Sequence, residues 1–169
     1  MKKDELELVT VAVQFCAYLE SAEQRQPREF VDTMLRFLPL LYLKGTLLPE
    51  ADMSDDEVDL QDYVTEENYD IVRTNIALLM GANDDFLEVF MEDMKYSDTP
   101  ILSTVSENLA DIYQDLKNFV FSYRQDDEAV KQEAVAQVKE NFEHYWGQRC
   151  ANVLRALHDV RYETAEGDL

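Results

Sequence analysis

The feature that most constrains the fold is a long amphipathic pattern over residues Ser103–Arg124. Its apolar residues recur at helical spacing, so they share one face of an α-helix and must be buried against other elements. They are Val105, Leu109, Ile112, Tyr113, Leu116, Val120 and Tyr123. The whole chain contains only 4 Gly and 4 Pro, too few for the tight turns of an all-β fold of this length. We therefore predict an all-α, single-domain bundle of about six or seven helices over residues 1–169.

Similar periodicity predicts two helices in the first part of the chain. The first covers Asp4–Ser21 and is apolar over most of its girth, which is typical of a helix at the centre of a bundle. The second begins at Pro27, a favourable first helical position, and ends near Gly45. Pro39 lies inside this second helix, so we expect it to kink the helix or split it in two.

The segment between the second and third helices is rich in carboxylates. Its acidic side chains repel one another and it shows no apolar periodicity, which predicts an acidic mobile loop near residues 50–62. The third helix is predicted from an N-cap at Thr65 to Met80, with Gly81 ending it. A short helix from Asp84 to about Met91 is predicted next, followed by a connector over Glu92–Leu102.

Two helices are predicted after Ser103–Arg124. One follows a polar turn around Asp126 and extends to Trp146. Gly147 either breaks the helical pattern or allows a close packing contact, and both alternatives stay open from the sequence. The final helix covers about residues 150–160, and we expect a frayed tail from about residue 163.

Composition narrows the classes of partner. Asp and Glu total 36 against 15 Lys and Arg, which gives a formal charge of −21. The negative electrostatic field of such a charge repels nucleic acids and anionic membranes and favours basic partners. The two cysteines, Cys16 and Cys150, lie far apart in apolar helical patterns, so we predict buried thiols and no disulfide. The apolar run Phe37–Leu43 is too short to span a bilayer, and a cytoplasmic protein is expected.

Carboxylates on the helix Ser103–Arg124 are the first candidate site. Asp111 and Asp115 lie one turn apart, and they could bind a divalent cation together with Glu140 or His144 of a neighbouring helix. Glu107 continues the same spacing but projects away from the apolar face, so the three acids cannot share one buried site. We favour a solvated acidic face over a metal site, and we predict no cofactor.

A second acidic motif, Glu66–Asp70, opens the third helix. Paired acids at this spacing hold magnesium in all-α nucleotide pyrophosphatases, but only Glu88 and Glu92 are available as a second pair. Acids in a first helical turn stabilise the helix start, and this explanation needs no enzyme. The two histidines, His144 and His158, lie beside apolar stripes, and we expect both to be partly buried and hydrogen-bonded.

Arginines follow one another at a spacing of six residues in the last helix. They are Arg149, Arg155 and Arg161. We predict that they pair with the surplus carboxylates of the same chain, each exposed pair contributing little to stability.

Three segments taken together resemble a bacterial family of small helical proteins that is described only as a domain of unknown function. They are Asn108–Lys117, Phe142–Gly147 and Leu154–His158. Many members of that family have His directly before Trp-Gly, where this chain has Tyr145, with His144 one place earlier. The resemblance implies an all-α fold and marks Asp111 and Asp115 as residues of interest, and it implies no activity.

Two functions are compatible with these patterns. The first is a non-catalytic, cytoplasmic helical protein that offers its acidic surface to a basic protein partner, without binding nucleic acid or membrane. The alternative is a metal-dependent hydrolase or metal-binding bundle that uses Asp111, Asp115 and Glu140 or His144. The sequence leaves the oligomeric state open.

Overall fold

Helices make up most of the residues that this computed structural model describes, which are 2–50, 58–88, 101–163 and 169. Two short strands form an antiparallel hairpin beside them. The elements in chain order are α1 (Lys2–Glu20), α2 (Pro27–Thr46), α3 (Glu66–Met80), β1 (Asp85–Glu88), β2 (Ile101–Thr104), α4 (Val105–Tyr123), α5 (Glu128–Asn141), a π-helical turn (Phe142–Trp146) and α6 (Gly147–Glu163). The predicted helical fold is thus confirmed. Within the described ranges, no helix has the length and apolar character needed to cross a membrane.

The number of helices differs from the prediction. The helix α5, the π-helical turn and α6 follow one another without a break, so they form one continuous rod. Counted in this way, the described residues contain five helices, not six or seven. Gly147 does not break the rod, and α2 continues through Pro39 from Pro27 to Thr46, so Pro39 does not split it. The predicted short helix after Asp84 is also absent from the described residues.

The core is built around α4, which contacts α1, α3, α5 and α6. Its apolar face is buried as predicted, and Leu109, Ile112 and Leu116 are fully enclosed. The helix α2 packs along α6 on the other side of the molecule. Cys16 and Cys150 are both buried, free thiols, which confirms their prediction as small core residues. The hydrophobic burial of one helical face explains why these segments are helical.

A hairpin occupies the place of the predicted helix Asp84–Met91, and that prediction is wrong for the residues described. Asp84 is buried and accepts hydrogen bonds from the Ser106 backbone N–H at 2.8 Å and the Ser106 hydroxyl at 2.7 Å. These bonds fix the start of β1 against the first turn of α4. The pairing of Leu87 with Leu102 then places part of the predicted connector in β2. Residues 89–91 of the prediction lie outside the described residues.

The predicted N-cap of α3 at Thr65 is confirmed, and Thr104 caps α4 in the same way. The Thr65 hydroxyl accepts from the Asn68 backbone N–H at 3.1 Å, and the Thr104 hydroxyl accepts from the Glu107 backbone N–H at 3.1 Å. Each threonine therefore satisfies an N–H that has no partner within its helix. Gly81 ends α3 with a φ of +55°, a conformation that glycine adopts without steric cost.

We expect Thr104→Ala to lower the free energy of unfolding by about 1 kcal/mol, because the α4 cap is lost. Thr74→Ala, an exposed position inside α3, is the control and should be neutral or slightly stabilising. Urea unfolding followed by circular dichroism measures both. Equal effects from the two variants would contradict the capping role of Thr104.

An aromatic ring is enclosed by two glycines where α2 meets the rod. A Cβ atom on Gly45 would lie 2.5 Å from the Phe142 ring, and a Cβ atom on Gly147 would lie 2.5 Å from the Phe142 carbonyl oxygen and 2.7 Å from its ring. Trp146 packs against the same ring at a centroid distance of 4.8 Å. Of the two alternatives left open for Gly147, the structure therefore shows close packing.

Candidate functional site

Asp111 lies at the centre of a network that joins three elements of the bundle. Its Oδ1 accepts a hydrogen bond from the Tyr69 hydroxyl of α3 at 2.7 Å, and its Oδ2 accepts from Arg149 Nε of α6 at 2.9 Å. The Arg149 guanidinium lies over the ring of Tyr145, 3.5 Å from the centroid. Burial, followed by the hydrogen bond to Asp111, raises the pKa of the Tyr69 hydroxyl. Both Asp111 oxygens are thus engaged by groups of the same chain.

The structure does not bring the predicted metal ligands together. Glu140 and His144 are exposed on the rod, while Asp111 is engaged by Arg149. Among the described residues, no group of three or more His, Cys, Asp and Glu side chains is arranged to hold a metal ion. Glu107 is exposed, as its position opposite the apolar face predicts.

The remaining predictions on the rod have mixed outcomes. His144 and His158 are both exposed, so the prediction that they are partly buried is wrong. The His158 ring packs against the Tyr162 ring, with the two ring centroids 4.7 Å apart. Arg149 pairs with Asp111, and Arg161 pairs with Asp32 at 2.7 Å, as predicted, whereas Arg155 is exposed and forms no ion pair with the described residues. The error on the histidines arises because each lies at the edge of an apolar stripe, where a small rotation of the helix decides exposure.

A polar cleft lies beside this network, between residues 58–62, α4 and α5. Its volume is about 350 Å³. Its polar lining consists of carboxylates, amides and one hydroxyl: Asp59, Gln61, Asp62, Asp115, Asn118, Ser122, Glu133, Gln137 and Asn141. Phe119, Ala134 and Val138 add an apolar surface. None of the described residues that line the cleft is basic. The cleft therefore combines negative charge with a hydrophobic surface.

Asp115 is the unusual residue of the cleft. Its Oδ2 is buried and has no hydrogen-bond partner in the part of the chain that is described. Burial, followed by the negative charge of Asp111, raises the pKa of the Asp115 carboxyl to about 7, while Arg149 opposes the shift. Loss of water around a carboxylate disfavours its charged form. Asp115 is therefore poised to gain or lose a proton, or to accept a donor from outside the chain, near neutral pH.

Asn118 positions the outer wall of the cleft. Its Oδ1 accepts hydrogen bonds from the backbone N–H groups of Tyr63 and Val64, both at 2.8 Å. The Tyr63 ring stacks on Phe121 of α4 at 4.9 Å. These contacts place Asp62 near Asp115, and the negative charge of Asp62 helps to raise the pKa of the Asp115 carboxyl.

The predicted acidic loop near residues 50–62 contributes to the cleft through its last residues. Residues 58–62 have no helix or strand, and residues 51–57 of the prediction lie outside the described residues. Asn118 and Glu133 line the cleft and were not predicted as site residues. The sequence spacing could have indicated Asn118, because Asn118 follows Asp115 by three residues on the same helix. Glu133 lies on another helix, so its spacing from Asp115 gave no sign that the two residues are close in space.

Comparison with known proteins identifies the family. The chain is similar to protein BF1032 from Bacteroides fragilis, whose crystal structure matches with a TM-score of 0.86 at 43% sequence identity. That alignment covers 97% of this chain and 96% of the other. No curated protein matches the chain. A family model described as a domain of unknown function, DUF5063, matches residues 1–163, as the resemblance of the sequence predicted. The chain therefore belongs to the DUF5063 family.

Proposed function

We propose that this protein binds a positively charged segment of a partner protein and seats a lysine side chain of that segment in the cleft beside Asp115. The observation that carries the proposal is the buried, unpartnered Oδ2 of Asp115 in an acidic cleft. An ammonium group would supply the missing hydrogen-bond donor and the missing positive charge together. On this proposal the protein acts in the cytoplasm by contact and not by catalysis.

The cleft suits a lysine side chain in both shape and polarity. Lysine has an apolar stem and a charged end, and it buries the stem along apolar surface when its end group is paired. Phe119 and Val138 would contact the stem, while Asp115 and Asp62 would receive the ammonium group. The volume of about 350 Å³ accommodates one such side chain. The formal charge of −21 would speed the approach of a basic segment.

A binding experiment tests the proposal with an acetylated, fluorescein-labelled oligolysine peptide as the probe. We expect Asp115→Asn to weaken binding at least about tenfold in fluorescence anisotropy, since a buried charged pair is lost. Glu107→Gln removes the same charge from an exposed position of α4 and is the matched control, with less than about a twofold effect. Equal weakening by the two variants would show that only the overall charge matters and would overturn the proposal.

The same assay has a pH-dependent outcome. Because the pKa of Asp115 is raised to about 7, its carboxylate forms as the pH rises through neutrality. Binding of the oligolysine probe should therefore strengthen from about pH 6 to about pH 8, where lysine stays protonated. Asp115→Asn should remove most of that dependence.

A metal measurement separates this proposal from the alternative function. Mg²⁺, Mn²⁺ and Zn²⁺ are added at matched ionic strength while the melting temperature is followed. A rise that Asp111→Asn abolishes would favour the metal-dependent alternative and would count against the lysine cleft.

A further inference from the structure

Among the described residues, one face of the protein carries few of the carboxylates that are frequent in the rest of the chain. The sequence has no Asp or Glu between Asp32 and Glu50, and none between Glu143 and Asp159, although 36 of its 169 residues are acidic. The first stretch contains most of α2, and the second contains most of α6. Since α2 and α6 pack along each other, the two acid-free stretches lie side by side in the fold.

Large apolar side chains are exposed on this face. They are Leu40, Tyr42 and Leu43 of α2, Leu47 directly after α2, and Leu6 of α1, each between 39% and 53% exposed, and we call these five residues the α2 face. Apolar grooves flank α2 on both sides. One lies against α1 and the other lies against α6, where Leu154 and Ala151 contribute to the wall.

The few charges along these grooves are nearly balanced. The only charged residues that line them, among those described, are Lys3, Glu7 and Lys44. Lys44 pairs with Glu7 at 2.7 Å. The α2 face is therefore an apolar and almost neutral area on a strongly anionic protein.

We propose that the α2 face is the interface through which a second copy of this chain binds, with α2 packed against α2 of the partner. Two bodies that each carry a charge of −21 repel one another, and they can approach closely only where carboxylates are absent from the contact. A basic partner would instead be attracted to the acidic surfaces and would gain nothing from an acid-free one. The distribution of charge therefore fits an occupant that is itself anionic, as a second copy is.

The shape of α2 supports the same occupant. Leu40, Leu43 and Leu47 follow one another at spacings of three and four residues and form a ridge along the helix. Ridges of this kind pack into the grooves of a facing helix, and a two-fold axis would place the ridge of each copy in a groove of the other. The α2 face exposes roughly 400 Å² of side chain, which would form the centre of an interface burying about 800 Å² per copy.

The molar mass of the full chain in solution tests this proposal. Sedimentation velocity should give twice the 19.7 kDa of the chain at high protein concentration. The dimer fraction should increase from about 0.05 M to about 0.5 M NaCl, because salt screens the repulsion between the two copies. A chain that stays monomeric at about 100 µM in the higher salt would overturn the proposal, since an interface of this size should associate there.

Substitution of exposed leucines locates the interface. We expect Leu43→Glu and Leu47→Glu each to weaken dimerisation by about 30-fold or more, because each places two carboxylates in an apolar contact. Leu78→Glu is the matched control, since Leu78 of α3 is 77% exposed and lies outside the α2 face. Circular dichroism melting confirms that the variants are folded. Weakening by Leu78→Glu equal to that by Leu43→Glu would assign the effect to added charge alone and would overturn the proposal.

Discussion

Replacing Asp115 with asparagine is expected to raise the free energy of unfolding by about 3 kcal/mol at about pH 8. The carboxylate is half-buried, and its Oδ2 lacks a partner, so its ionised form is costly in the folded protein. Asparagine has nearly the same shape and carries no charge. Urea unfolding at several pH values measures the difference between the variant and the wild type.

The sign of the pH dependence follows from the direction of the pKa shift. The folded protein holds the Asp115 proton up to a pKa of about 7, whereas the unfolded chain releases it near the ordinary aspartate pKa of 3.8. Between these two pKa values the folded state binds more protons than the unfolded state. The stability that protonated Asp115 contributes is therefore fully present below the unfolded pKa, and it is lost as the pH rises through the folded pKa. The gain in free energy of unfolding that Asp115→Asn produces should therefore be large at about pH 8 and disappear towards about pH 4.

Glu107→Gln is the control for this prediction, because Glu107 lies on the same helix and is exposed. Its effect should stay within about 0.5 kcal/mol at both pH values. An Asp115→Asn variant that is no more stable than Glu107→Gln at about pH 8 would contradict the burial of an unpaired carboxylate. Together with the oligolysine assay, the expected result is a variant that gains stability and loses binding, which is typical of functional residues.

The second large effect is expected from Gly147→Ala, which should lower the free energy of unfolding by about 3 kcal/mol and the melting temperature by about 8 °C. Alanine normally stabilises a helix relative to glycine by about 1 kcal/mol, so the sign of this result is diagnostic. The added Cβ would lie 2.5 Å from the Phe142 carbonyl oxygen and 2.7 Å from its ring. The ring cannot move aside, since Gly45 encloses it from α2. Calorimetry measures both quantities.

A double-mutant comparison separates the two glycines. The Cβ of Gly45→Ala would meet only the ring of Phe142. The loss in free energy of unfolding caused by Gly45→Ala should therefore be much smaller when Phe142 is replaced by Leu. The Cβ of Gly147→Ala also meets the Phe142 backbone, so Phe142→Leu should reduce the destabilisation caused by Gly147→Ala only in part. Equal relief at both glycines would contradict the contact with the carbonyl oxygen.

Much of the helical fold was predictable, because one apolar face per helix produces a clear period. The bounds of α3 followed from Thr65 and Gly81, whose capping roles act within a few residues. The hairpin was missed since Phe86 and Leu87 form too short an apolar run to distinguish a strand from a helix. The hydrogen bonds between Asp84 and Ser106, which hold the start of β1 against α4, join residues that are 22 positions apart and leave no local periodicity.

The candidate site was predictable only in part, for a related reason. Spacing along α4 identified Asp111 and Asp115 as a pair, but it could not distinguish their chemistry. Asp111 is neutralised by Arg149, 38 residues further along the chain. Asp115 is instead covered by residues 58–62 and α5, which raises its pKa. Two carboxylates one helical turn apart thus have opposite environments that depend on distant segments.

The π-helical turn at Phe142–Trp146 sets the angular phase between the two halves of the rod. A π-helical turn contains one residue more than a regular turn, and each residue of an α-helix corresponds to a rotation of about 100°. Shortening the turn to a regular helix would rotate α6 about its own axis relative to α5. Cys150 and Leu157 would then leave the core, and Arg149 would point away from Asp111. One additional residue thus lets both halves of a single rod contact α4, while the α6 half also packs against α2.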